Sequence, residues 1–181
     1  MSLKLNKALI KGFTLIEMLI VIAIIGVILG MTIYMGSNDI LRLKNKTIKE
    51  DFVETFSSFY NNSIGSNYYN NQRFSQLNLD LISGANSLYF TYIGENAQYS
   101  GNKTINNEFS ISKIKLLSGN NFQENDKATI QIYPYKFGCE IYDNINLYST
   151  QIEFEIKIKT EKYCFNVGSD NCKLQEILCQ N

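Results

Sequence analysis

One carboxylate, Glu17, stands inside an apolar run from Phe13 to Met35 in which the only other ionisable side chain is the phenol of Tyr34. A carboxylate isolated in hydrocarbon is costly or takes up a proton, so Glu17 needs compensation. Gly12 directly precedes the run, and Lys4, Lys7 and Lys11 stand before it. Four cysteines, Cys139, Cys164, Cys172 and Cys179, all fall on the other side of the run. Histidine is absent, which removes the commonest general base and metal ligand, and no nucleophile, phosphate or metal motif replaces it. The expectation is a non-enzyme without cofactor or metal.

These residues need elements to position them. A bilayer core of about 30 Å takes roughly 20 apolar residues in a helix, so Phe13 to Met35 is long enough to span it. The lysines place its start in the cytoplasm. The cysteines then lie in an oxidising compartment, where disulfides persist. A cleavable secretory signal would instead have a shorter apolar core without an acid, followed by a small-residue cut site.

Beyond Met35 the pattern becomes amphipathic, with Leu41, Ile48, Phe52, Phe56 and Phe59 recurring at helical intervals. The spacing predicts one helix from Phe13 to about Asn62, a rod of roughly 75 Å at 1.5 Å per residue. Its outer half carries Arg42, Lys44, Lys46 and Lys49, then Glu50, Asp51 and Glu54, with Lys46 and Glu50 one turn apart. Two readings stand: a solvated face, or bands that mate between subunits. Gly26, Gly30 and Gly36 punctuate the helix, allowing close packing or simply softening it.

From Asn61 to about Asn86 the composition turns to Asn, Ser, Gly and Tyr and reads as loop. Strands are expected at Leu88 to Ile93, Phe109 to Leu117, Thr129 to Phe137, Gln151 to Lys159 and Tyr163 to Val167. In the fourth, Ile152, Phe154, Ile156 and Ile158 alternate with charged residues, as one buried and one wet sheet face require. Pro134, the only proline, argues for an edge or bulge in the third. An apolar sheet face covering the phenylalanine stripe gives an α+β fold: a long N-terminal helix, membrane-spanning then amphipathic, packed on an antiparallel sheet.

The segment Lys11 to Gly26, KGFTLIEMLIVIAIIG, resembles the processing and assembly signature of type IV prepilins and of the pseudopilins of type II secretion and DNA-uptake systems. The resemblance covers about the first 35 residues. It implies cleavage between Gly12 and Phe13 by a membrane-bound prepilin peptidase and N-methylation of Phe13. It also implies pairing of Glu17 with the freed amino terminus of an adjacent subunit. The chemistry suits this, because an α-amino group with a pKa near 8 is largely cationic at neutral pH. Many members carry proline where Tyr34 stands, so a straighter helix is expected here.

The organisation expected is a cytoplasmic leader at 1–12, a transmembrane and assembly helix at 13–35, its amphipathic continuation at 36–62 and a pilin-like head at 63–181. Implied partners are prepilin peptidase, other pilin or pseudopilin subunits, an inner-membrane assembly platform and membrane lipid. The implied product is a single-pass inner-membrane precursor with an exported head, then a surface or periplasmic fibre. The alternative is a low-abundance minor pilin at the fibre tip with an adhesive or DNA-uptake role. Residues 36–181 hold 14 basic and 16 acidic side chains, so net charge gives nucleic acid no support, although a local patch at Lys113 and Lys115 stays open.

Four cysteines permit three complete pairings. In pilins a disulfide commonly staples the C-terminal loop, which implies Cys164 with Cys179 and leaves Cys139 for Cys172. The rival joins Cys139 to Cys164 and Cys172 to Cys179. Metal ligation fits poorly, since close ligand pairs are lacking.

Overall fold

The computed structural model describes residues 14–95, 97–118, 121–145 and 147–179, with the side chains of 32–35, 37, 38 and 118 excepted. The chain divides into two compact units, 1–43 and 44–181. One helix, α1 (Leu15–Gly65), contributes to both and runs unbroken through Gly26, Gly30 and Gly36. With no proline inside it, every backbone N–H after the first turn keeps an intrahelical acceptor in reach.

Thirteen strands follow among the described residues. They are β1 (Tyr68–Tyr69), β2 (Gln72–Arg73), β3 (Gln76–Ile82), β4 (Ser87–Ile93), β5 (Gln98–Thr104), β6 (Phe109–Ser118), β7 (Asn121–Asn125), β8 (Lys127–Ile132), β9 (Glu140–Asp143), β10 (Tyr148–Ser149), β11 (Gln151–Ile158), β12 (Glu161–Gly168) and β13 (Leu174–Ile177). The expected α+β class with an N-terminal helix and antiparallel pairing holds, but two large sheets stand where one was expected. One is six-stranded in the order β10-β9-β8-β3-β4-β5, and the other five-stranded in the order β13-β12-β11-β6-β7. A hairpin of β1 and β2 stands apart. Among the described residues the chain changes from one large sheet to the other between β5 and β6, at Asp126 between β7 and β8, and between β10 and β11.

Strand β11 buries Ile152, Phe154, Ile156 and Ile158, as its alternation predicts. The same period of two governs β3, where Leu77, Leu79 and Leu81 are fully buried. That overturns the loop expected from Asn61 to Asn86, because QLNLDLI is a central strand despite its polar neighbours. The third expected strand ends at Ile132, before Pro134, and lies inside its sheet between β3 and β9 rather than at an edge. Proline has no N–H for the ladder, so the chain turns there instead of continuing.

In the second unit α1 buries Ile48, Phe52, Phe56 and Tyr60, with Asn45 and Ser63 on the same stripe. Phe52 is the hub. Its ring lies 5.3 Å from Phe109, 5.6 Å from Phe165 and 5.8 Å from Phe154, all on the five-stranded sheet. Phe59, half-buried, meets Phe90 of the six-stranded sheet at 5.0 Å. One helix therefore closes against both sheets. Leu41, expected on this stripe, belongs to the first unit and is exposed.

Candidate processing and assembly segment

The start of α1 is fixed by two side chains. Thr14 Oγ1 accepts from the Glu17 backbone N–H at 3.3 Å, while Glu17 Oε2 accepts from the Thr14 backbone N–H at 2.9 Å. The Thr14 hydroxyl also donates to Glu17 Oε2 at 2.9 Å. This reciprocal pair is a capping box, which satisfies two donors that an isolated helix start leaves open. Thr14 had no assigned role in the sequence reading, yet T-x-x-E before an apolar run is the signal that finds it.

From Thr14 to Met31 every side chain is exposed, and apart from Glu17 and Thr14 all are apolar. Leu15 is 80% exposed and Ile16 67%. No Cβ placed at Gly26 or Gly30 would meet anything within 4 Å, so both glycines present open helix surface. An apolar surface of this extent, unlike scattered exposed leucines, requires a cover. Among the described residues no helix is long and apolar enough to cross a membrane. The side chains carrying the run from Thr32 to Met35 lie outside the described set, so the span rests on the sequence. Gly12, Phe13, Lys4, Lys7 and Lys11 also lie outside the described residues.

Within the second unit the basic band of α1 is engaged by the head of its own chain. Lys44 Nζ lies 2.8 Å from Glu108, which also meets Lys159 at 3.4 Å. The Lys44 hydrogen bond holds the Glu108 carboxyl below the usual carboxylate range against the opposing effect of burial, with further help from Lys159. Lys49 donates to both oxygens of Glu176 at 3.0 and 2.9 Å and sits 5.0 Å over the Tyr163 ring. Lys46 and Glu50 meet at 3.7 Å, as their spacing predicts. Lys49 is thus largely covered by its own head, while Lys44 stays half exposed beside Glu108.

Two disulfides divide the labour of closing the head. Cys164, on β12, joins Cys179 beyond β13, with Cα atoms 5.2 Å apart, and so ties down the last strand. Cys139, just before β9, joins Cys172, between β12 and β13, with Cα atoms 5.4 Å apart. The second bond therefore clamps one large sheet to the other. Gly138 makes it possible: at φ 83°, a Cβ there would come within 2.5 Å of the Ser169 carbonyl oxygen. Glu155 lies beside Cys164 and Cys179, but their sulfurs are bonded to one another and offer no thiolate to a metal.

Lys113 and Lys115 form no basic patch. They face Glu155 and Glu153 across β11, and Lys115 faces Glu124 across β7.

Residues 8–33 match the family model of the prokaryotic N-terminal methylation motif. The chain carries a type IV prepilin-type cleavage and methylation segment. That segment holds Gly12, Phe13, the Thr14–Glu17 cap and the exposed apolar helix surface up to Met31. No curated protein and no solved structure matches the chain.

Proposed function

We propose that this chain is the precursor of a structural subunit of a type IV pilus or a type II secretion-like pseudopilus. Its prepilin-type segment opens a helix whose exposed surface is apolar on every side, and that observation carries the reading. Prepilin peptidase cuts after Gly12, and the new Phe13 amine is methylated. Residues 13–35 hold the precursor in the inner membrane with the head exported, and an assembly platform hands it to a growing fibre. In the fibre, lipid is replaced around the helix by the helices of other subunits.

Glu17 has two tasks in this scheme. In the separate chain its carboxylate caps α1 through Thr14. Cleavage then creates a cation where Phe13 previously had only an amide nitrogen, and this amine on a neighbouring copy supplies the partner that a buried carboxylate needs. The charge pairing becomes available only after the leader has gone, which orders maturation before assembly.

The test is co-expression with and without a prepilin peptidase, followed by N-terminal mass spectrometry and shearing of surface fibres. A mature chain starting at N-methylated Phe13 and recovered in the sheared fraction is the expected result. A mature chain with another N-terminus, or one released as a soluble monomer, sinks the proposal.

A further inference from the structure

A cavity of about 530 Å³ opens on the head beside the C-terminal end of α1. Its walls are built by backbone conformations that few residues adopt. The β1–β2 hairpin turns at Asn70 and Asn71, with φ of 49° and 61°, which brings Gln72 and Arg73 back to the cavity wall. The next wall crosses directly over Arg73. A Cβ at Gly94 would come within 2.5 Å of the Arg73 carbonyl oxygen, so only glycine lets this turn lie so close and bring Glu95 to the same cavity. The third wall is Pro134 and Tyr135. Tyr135 has φ 61°, its N–H donates to the Ile64 carbonyl at the end of α1 at 3.2 Å, and the residue stays 71% exposed. A bulky residue at positive φ is uncommon, and such outliers cluster at ligand clamps.

The chemistry of the lining narrows the ligand. Arg73 supplies a planar fork of donors, Glu95 a pair of acceptors and Gln72 an amide that does both, while Asn67 Oδ1 accepts from the Tyr135 hydroxyl at 3.5 Å. Among the described residues neither Arg73 nor Glu95 has an ion-pair partner, and both line the cavity while open to solvent. An anion is opposed by Glu95 and a cation by Arg73. A purely apolar ligand would desolvate both without replacing their water. A neutral ring that carries adjacent hydroxyls on its rim and C–H groups on its face satisfies all the walls, since the hydroxyls pair with the charged forks and the C–H face lies on Tyr135. The cavity volume is within the range of small-molecule sites.

We propose that this cavity binds a neutral saccharide, with one pyranose ring stacked on Tyr135 and its hydroxyls held by Arg73 and Glu95. The site goes beyond the assembly function and stands whether or not the chain polymerises.

Saturation-transfer difference NMR on the full chain tests it, in a detergent without a sugar headgroup. The probes are glucose, galactose, mannose and N-acetylglucosamine, and inorganic phosphate is followed separately by its linewidth. Saturation transfer to the ring C–H protons of at least one sugar is expected. It should persist in Tyr135→Phe, disappear in Tyr135→Ala and Arg73→Gln, and be unchanged in Phe122→Ala, a half-exposed aromatic on β7. The proposal is overturned by absence of transfer to all four sugars, by transfer that survives Tyr135→Ala, by equal loss in Phe122→Ala, or by a response to phosphate alone.

Discussion

Thr14 and Glu17 cap one another at the first turn of α1, so the carboxylate that the sequence leaves without a partner already has one in the separate chain. This separates two tasks that a substitution to alanine would remove together. Glutamine at the third helical position also completes a capping box, because its side-chain oxygen accepts the same N–H. It carries no charge, however, and cannot neutralise an amino terminus. Glu17→Gln should therefore keep the start of α1 protected against amide exchange yet enter sheared fibres poorly beside the parent protein. Glu17→Ala should fail in both readouts while still inserting into the membrane. Normal incorporation of Glu17→Gln would reduce Glu17 to a helix cap.

Phe52 touches three aromatic rings on β6, β11 and β12, and it is fully buried. Phe52→Ala should cost the head about 3–5 kcal/mol, since the rings around it cannot collapse into the space at once. Denaturant unfolding followed by aromatic circular dichroism measures this. Phe59→Ala, on the half-buried side of the same helix, should cost clearly less.

Much of the fold was legible where burial imposes a period. The stripe Ile48, Phe52, Phe56 and the alternation Ile152, Phe154, Ile156, Ile158 each face a core, and each is present in the structure as its spacing requires. The alternating leucines of β3 were equally regular, but the Asn-rich and Ser-rich chain around them masked the signal. The edge strand β5, QYSGNKT, buries almost nothing and carries no period that composition could reveal. Tyr135 was invisible for a different reason, because its backbone conformation is set by a tertiary hydrogen bond to Ile64. The prepilin-type segment was readable because its motif lies in contiguous residues.

The two disulfides should differ in what their loss releases. Cys164 and Cys179 are 15 residues apart, and a loop of that length is worth about 3 kcal/mol in the chain-entropy model. Cys139 and Cys172 are 33 apart, which raises the figure only to about 4 kcal/mol. Location matters more than that difference. Cys164→Ser with Cys179→Ser should free the C-terminal strand alone, whereas Cys139→Ser with Cys172→Ser should loosen one sheet from the other. Limited proteolysis reads the distinction as early cleavage near residue 174 in the first variant and near residues 133–139 in the second. A non-reduced digest linking Cys139 to Cys164 would overturn both expectations.

Glu140 joins one acid-labile and one alkali-labile contribution to the head in a single cluster. Its Oε2 accepts from Tyr133 at 2.9 Å and from Tyr142 at 3.0 Å, and Lys136 donates to Oε1 at 3.1 Å. Tyr133, then Lys136 and Tyr142, hold its carboxyl below the ordinary glutamate value, as Lys44 and Lys159 do for Glu108. A depressed carboxyl binds fewer protons folded than unfolded, so its contribution is present above about pH 4.3 and is lost as pH falls through the folded value. The tyrosines run the other way. Burial, then the Glu140 hydrogen bond, push Tyr133 up to about 12, so its contribution is complete below about pH 10 and is lost as pH rises towards 12. The head should show a stability plateau between these limits. Glu140→Gln should lower the plateau, flatten its acid edge and let Tyr133 ionise at lower pH, which the ultraviolet absorbance of tyrosinate follows directly. An acid edge and a tyrosine titration both identical to the parent would mean that the Tyr133–Glu140–Tyr142 cluster carries no charge coupling.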